Sequence, residues 1–365
     1  MSSSNVQDLL ELCDITLIPS PINNGWRGCE NLNYLTSDLL TRSIQDSLPI
    51  FTSPMNSVVD DKNWRIWENE RINSVIPRTI NIETRLKLSQ IVFVAMSFDE
   101  VKYHFLDQDK RYIQQQFKIC LDVGNGHDSW VFELASKLRS IYGKQIILMG
   151  GNIENPEAYV NYSKAGFDFV RLGMTSGSLV MREKFGFNYP TASLILDTCQ
   201  VREQSKTIGI RPINIIADGG ISSFTDLIKC LALGADYVML GREFVKMLEA
   251  AGTVYDKKRT PEGLEKIDEI LKSNDLTEKE LKDLNLVRLY SGNTTLDVQQ
   301  IRGGYSNINE IPSPKIIDSK SVWVPVTRRL ETWLDDLKEH IRYTFMMSNS
   351  RSWKEFKTNI KYGKV

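Results

Sequence analysis

Short apolar, β-branched runs alternate along the chain with longer stretches in which apolar residues recur every three or four positions, the rhythm of strand–helix units around a parallel sheet. Eight runs carry the strand signature: residues 49–54, 73–77, 91–96, 117–123, 145–149, 167–172, 213–217 and 236–240. Many end in Gly, Asn, Ser or Pro, which suit the turn leaving the C-terminal end of a barrel strand. The pattern predicts an α/β fold, a (β/α)8 or TIM barrel. Between the runs, residues 130–142 place Val131, Leu134, Ala135, Leu138 and Ile141 near a 3.6-residue period, a helix with one face on the sheet. Asn155-Pro156 and residues 222–225 offer polar caps for two further helices. Beyond the eighth run, a charged stretch at 266–285 and a Gly-, Asn- and Pro-rich stretch near 303–314 break the rhythm, which returns as helical periodicity at 327–346. Residues 1–365 are therefore expected to form one barrel domain with a flap-like excursion at about 252–322.

Composition narrows the classes. Hydrophobic residues make up 41% of the chain and charged ones 25%, enough to bury a full core, and the formal charge of −1 supplies no field for nucleic acid or an anionic membrane. No nucleic-acid or membrane partner is expected. Cys13, Cys29, Cys120, Cys199 and Cys230 are scattered with no CxxC pair, and only His104, His127 and His340 are present, so neither a disulfide framework nor a metal centre is expected. With no signal-like start and no apolar stretch of ~18 residues, a reducing, cytoplasmic setting is expected.

The chemistry lies in four glycine-containing turns that would share one rim of the barrel: LDVGNG at 121–126, LGMTSGS at 172–178, ADGGI at 217–221 and MLGR at 239–242. Glycine lets main-chain N–H groups approach an anion closely, and the loops after the seventh and eighth strands often form a phosphate site in such barrels. Ser178 would add a hydroxyl donor, and Asp218 has the reach to accept from a ribose diol. Paired glycines at strand ends are also read as tight turns and nothing more; the convergence of several turns favours a site.

These motifs resemble the IMP dehydrogenase and GMP reductase family, most strongly over residues 119–252. ICLDVGNG (119–126), MGGNI (149–153), DFVRLGMTSGS (168–178), ADGGI, LGADYVMLG (233–241) and EAAG (249–252) follow in the family's order and spacing. Upstream, CDITLIPSP (13–21), PIFTSPMNSV (49–58) and VIPRTINIE (75–83) are similar to its opening segment and first two strand loops; downstream, LYSGNTT (289–295) and 322–342 match its later segments. Only about a dozen residues separate the second and third runs, which leaves no room for a CBS pair there, as in a GMP reductase-like minimal barrel; the SPM triplet leans towards the dehydrogenase branch. The resemblance implies a purine nucleoside monophosphate as ligand, with Ser178, Gly219, Gly220, Gly241, Arg242 and Tyr290 at its phosphate and Ser53, Met55, Asp218, Gly292 and Asn293 at its ribose and base. It implies NADP or NAD beside Arg78, Asp122, Asn125, Gly126 and Gly173, a monovalent cation near Gly173–Gly177, and a homotetramer.

The chain departs from the family at the reaction itself. The family's redox step uses a cysteine thiolate that attacks C2 of the purine before hydride passes to or from the nicotinamide; here Val180 stands at that position, and the threonine two residues later is also missing. Cys199 and Cys230 fall in helical stretches and Cys120 in a strand, which suits packing better than nucleophilic attack. Asn293 replaces a methionine that supports the purine, Asn56 an aspartate and Pro77 a histidine. Arg302 and Tyr305 are separated by two glycines, unlike the adjacent pair of the dehydrogenase flap. Glu249 matches a glutamate that relays protons or contacts cofactor, though a carboxylate there also suits a helix end, and Arg78 suits either a ligand contact or an ion pair. Two functions follow: an NAD(P)-dependent oxidoreductase of a purine nucleotide, or a non-redox nucleotide-binding homologue acting as a sensor, partner subunit or catalyst of another purine modification.

Overall fold

The computed structural model describes residues 9–21, 47–107, 115–173, 186–256, 277–292, 295–303 and 319–365. Its strands are β1 (Ile15–Ile18), β2 (Ile50–Thr52), β3 (Val75–Ile76), β4 (Phe93–Met96), β5 (Phe117–Leu121), β6 (Ile146–Ile153), β7 (Phe169–Leu172), β8 (Asn214–Asp218), β9 (Tyr237–Leu240), β10 (Val254–Asp256), β11 (Leu286–Ser291), β12 (Ser321–Pro325) and β13 (Lys361–Lys364). Strands β2 to β9 form one parallel sheet in the order β2-β9-β8-β7-β6-β5-β4-β3. A parallel bridge from Phe51 to Asn73 joins β2 to the residues leading into β3, so the sheet curls into a nearly closed eight-stranded barrel flanked by helices. Each of the eight apolar runs overlaps one of its strands, with β6 running on to Ile153 and β8 to Asp218, past the expected ends.

These strands read as apolar runs rather than alternations because both faces are buried. One set of side chains, including Phe51, Val75, Phe93, Cys120, Met149, Phe169, Ile216 and Tyr237, fills the inside of the barrel with one residue from each strand. Phe51 sits edge-on to Phe93, Phe169 and Tyr237 with ring centroids 5.7, 5.8 and 5.2 Å apart, contacts each worth ~0.5–1.5 kcal/mol beyond burial. The alternate set, such as Val94, Ile119, Val170 and Ile215, packs outward in the core that also contains the helices.

The helix Ser129–Tyr142 buries Val131, Leu134, Ala135, Leu138 and Tyr142. Ile141 is a correction: it is 49% exposed. Tyr142 lies eleven residues from Val131, about three full turns, and so returns to the same face while Ile141 falls beside it; its hydroxyl donates to the Phe105 carbonyl at 2.8 Å. Ser223 caps the helix Phe224–Ala232 by accepting from the Asp226 N–H, and Asn155 accepts from the Glu157 N–H ahead of the helix Ala158–Ala165. The helical periodicity near the C-terminus forms the helix Leu330–Met347.

Two smaller sheets lie outside the barrel. β10, β11 and β12 form an antiparallel sheet with its own apolar cluster of Leu248, Val254, Leu281, Leu286 and Val326. β1 pairs antiparallel with β13, Ile15 opposite Lys364, and the strands contribute to neither of the other sheets.

Candidate functional site at the barrel mouth

One half of the mouth is built from charge. Asp122 follows β5, Asp218 ends β8, and Arg171 in β7 stands between them, 4% exposed. Its Nη2 lies 3.6 Å from Asp122 Oδ1 and its Nη1 3.7 Å from Asp218 Oδ2. Burial alone would disfavour the Arg171 cation, but Cys120, Asp218 and Asp122 around it more than offset this and hold its pKa above the usual value. Asn152 donates to Asp218 Oδ2 at 2.9 Å and to the Gly173 carbonyl at 3.2 Å. Burial pushes the Asp218 carboxyl up, against the opposing pull of Arg171 and Asn152. Asp122 also meets Arg78 Nη1 at 3.9 Å and Arg302 Nη2 at 3.6 Å. Arg78 in turn lies 3.7 Å from Glu100, which a buried Arg85 holds by a second ion pair. The Nε atoms of Arg171 and Arg78 are buried with no hydrogen-bond partner among the described residues, so donors remain on this side.

The other half is built from backbone and neutral hydroxyls. Gly219 and Gly220 follow Asp218 with φ of 110° and 73°, which suit glycine and aim successive peptides into a tight turn. Gly241 follows β9, where a Cβ would collide with Tyr290 Oη and lie 3.2 Å from Ser53 Oγ. Tyr290 comes from β11, is 7% exposed, and accepts at its phenol oxygen from the Arg242 backbone. Burial, followed by the charge of Asp218, raises its pKa, so the phenol stays protonated and the two halves adjoin. Ser53 donates its N–H to the Leu240 carbonyl at 2.9 Å, and Met55 is buried beyond it. Gly292 follows β11 and accepts from Thr295 Oγ1 at 2.8 Å.

The remaining expected residues are placed as follows. Gly126 lies where a Cβ would be 2.5 Å from the Asn152 carbonyl, so the β5 loop passes tightly over the end of β6. Asn125 closes a local turn, donating to Asp128 and accepting from the His127 N–H. Gly173 donates its N–H to Ile153. Glu249 Oε2 accepts from the Leu330 N–H at 2.9 Å, capping the helix Leu330–Met347, and its carbonyl accepts from Asn63. Ser178, Val180 and Asn293, together with Cys29, Tyr305 and the 174–177 part of the expected cation site, lie outside the described residues. Among the described residues no group of three or more His, Cys, Asp or Glu is placed to hold a metal ion, and no helix is long and apolar enough to cross a membrane. Burial raises the Cys120 thiol to about 12 and the Cys199 thiol to about 11, and pushes Cys230 up as well. None of these three supplies a thiolate at neutral pH.

Comparison with known proteins gives a partial family likeness. The profile of the IMP dehydrogenase / GMP reductase domain matches residues 101–261. The chain is 32% identical over 140 residues to GMP reductase 1 of Homo sapiens, 38% of this chain and 39% of that protein. It is 31% identical over 134 residues to the inosine-5'-monophosphate dehydrogenase of Tritrichomonas foetus, 36% of this chain and 26% of that protein. Over these stretches it is similar to the IMP dehydrogenase/GMP reductase superfamily. The matches span about two fifths or less of these relatives' own length. The matched stretch carries Asp122, Arg171, Asp218, Gly219, Gly220, Gly241 and Arg242. Ser53, Arg78 and Tyr290 lie outside it, yet the fold brings them to the same rim.

Several residues at the mouth were missed in the sequence reading: Arg171, Asn152 and the Arg85–Glu100 pair, while Arg302 was weighed only against the flap pair. Arg171 left a usable signal, because an arginine between Val170 and Leu172 in a buried strand needs carboxylate partners. Asn152 left none, since its partner Asp218 is distant in sequence and brought to it by the barrel's curvature.

Proposed function

We propose that the barrel mouth binds a purine nucleoside monophosphate, with the ribose diol on Asp218 and the phosphate in the turn formed by Gly219, Gly220, Gly241, Arg242 and Tyr290. The observation that carries the reading is the position of Asp218. Its carboxylate is held by Arg171 and Asn152 and is followed at once by the double-glycine turn, so a diol acceptor and an anion turn adjoin. Ser178, Ser53, Met55, Gly292 and Asn293 complete this expected ligand set.

NAD or NADP fits beside Asp122 in one respect and not in another. Asp122 is a carboxylate acceptor on the rim with Arg78 next to it, whereas the Asn125 side chain is committed to its own turn. When bound, the nicotinamide accepts or supplies a hydride; Asp122, Arg78, Gly126 and Gly173 are the residues that would hold it. The same reading takes residues 1–365 as one domain with a flap at 252–322, in a cytoplasmic homotetramer with a monovalent cation near Gly173–Gly177.

A second reading, nucleotide binding without redox chemistry, is favoured by one specific observation. Val180 occupies the nucleophile position, and Cys120, Cys199 and Cys230 are held as thiols. Calorimetric titration with IMP, GMP, XMP and AMP, followed by nicotinamide absorbance with NAD(H) or NADP(H), separates the two. Turnover that survives Cys199→Ala and is abolished by Glu249→Gln supports cysteine-independent redox chemistry; tight binding without turnover supports the second reading. Binding of none of the four nucleotides overturns both.

A further inference from the structure

The strand that brings Tyr290 to the anion turn carries a second side chain on the same face. Along β11, Leu286, Arg288 and Tyr290 are buried while Val287 and Leu289 are partly exposed, so Arg288 and Tyr290 both point towards the barrel. Arg288 is 1% exposed and makes no ion pair among the described residues. It spends its donors on main chain: Nη1 to the carbonyls of Val245 at 2.7 Å and Met247 at 2.8 Å, Nη2 to Leu248 at 3.2 Å, and Nε to Gly252 at 3.4 Å. These carbonyls belong to the segment that directly continues the anion turn, since Gly241 accepts from the N–H groups of Phe244 and Val245. One strand thus grips both ends of a single stretch, Tyr290 at 241–242 and Arg288 at 245–252.

We infer that Arg288 is a positioning residue for phosphate recognition: it fixes β11 against the post-β9 segment so that the Tyr290 phenol meets the anion turn, and it governs phosphate affinity without touching ligand. The inference rests on the reading of that turn as the phosphate site. A guanidinium is suited to the task because its planar fork offers five donors at fixed angles, whereas an ammonium offers three about one point. Burial lowers the Arg288 pKa only to about 10, so the grip is cationic and intact at neutral pH.

The test compares IMP with inosine, and GMP with guanosine, by calorimetry on the full chain, so that the phosphate's share of affinity is read separately from that of base and ribose. The wild type is expected to bind nucleotide about tenfold or more tightly than nucleoside. Arg288→Lys should remove most of that gain and leave nucleoside affinity unchanged. Tyr290→Phe should do the same, and the double variant should be no worse than either single one, the non-additivity expected of residues acting through one contact. Gly252→Ala is the second variant: at φ +83° its added Cβ sits 3.3 Å from Ser57 Cα and 3.7 Å from Arg288 Cδ, so the peptide that accepts from Nε must shift, and a partial loss of the phosphate gain is expected. Equal losses for nucleoside and nucleotide, additive losses in the double variant, or an undiminished phosphate gain in folded Arg288→Lys or Gly252→Ala would overturn the inference. A wild type that binds nucleotide no better than nucleoside would instead overturn the phosphate-site reading, and the inference with it.

Discussion

The two halves of the barrel mouth are made of different material. On the β5, β7 and β8 side, the rim groups are charged side chains linked into one network, with Arg171 between Asp122 and Asp218. On the β9 and β11 side they are glycine peptides, a serine and a tyrosine. The first half is fixed by the barrel itself, since its members stand on or beside barrel strands. The second depends on β11, a strand of the small outer sheet, being docked against the segment after β9. A defect in the charged half should therefore cost the fold first and binding as a result, whereas a defect in the neutral half should cost phosphate binding while the barrel survives.

The sharpest way to break this contrast is Arg171→Met, which leaves two carboxylates facing each other in a buried site. Removing one partner from a buried ionic cluster costs ~3–5 kcal/mol, so the urea midpoint should fall steeply and nucleotide binding should be lost with it. A variant of wild-type stability would show that the network is no part of the fold. Gly241→Ala attacks the other half: its Cβ must displace Tyr290. Stability should drop by ~1–3 kcal/mol, as for other overpacked sites, while calorimetry should show nucleotide affinity falling ~10- to 100-fold.

The barrel was legible because its signal is local and repeated eight times: a parallel strand buried on both faces is an apolar run, and many of the runs ended in turn residues. The glycine turns proposed to take phosphate were legible as turns for a related reason, since Gly219, Gly220 and Gly241 are required by backbone conformation or close approach at their own positions. The pairs that hold the charged half were not, because Asn152 and Asp218 are brought together only by the curling of the barrel, and Arg302 reaches Asp122 from the helix after β11. The pairing of β1 with β13 was hidden likewise, joining the two ends of the chain. Glu249 shows a further limit: sequence left it between a proton relay and a helix-end carboxylate, and its hydrogen bonds are those of a cap on the Leu330 helix.

A smaller effect tests whether the charged network extends to its outer members. Burial would raise the Glu100 carboxyl, but hydrogen bonds from Arg85 and the Ser97 backbone and the charges of Arg85 and Arg78 hold it below its ordinary value near 4.5. Its contribution to stability is thus present above that value and lost as pH falls through the depressed folded one. Because the carboxylate is about one quarter exposed, Glu100→Gln should cost only ~1–2 kcal/mol, and the variant's acid-side loss of stability should be shallower than the wild type's in pH-dependent thermal melts. Smallest is the effect of Asp218, whose raised pKa means that protonation sets in at higher pH than for an exposed aspartate. Inosine affinity should therefore weaken a few-fold as pH is lowered through that range, with Asp218→Asn flat over the same titration.

The most direct test of the central claim, that one rim carries a ribose acceptor beside a phosphate turn, is a calorimetric titration of the wild type and Asp218→Asn with IMP and GMP. The account predicts one-site binding to the wild type, at least about tenfold weaker in Asp218→Asn, with both proteins equally folded. Absence of binding to the wild type, or equal affinity in the two proteins, would contradict it.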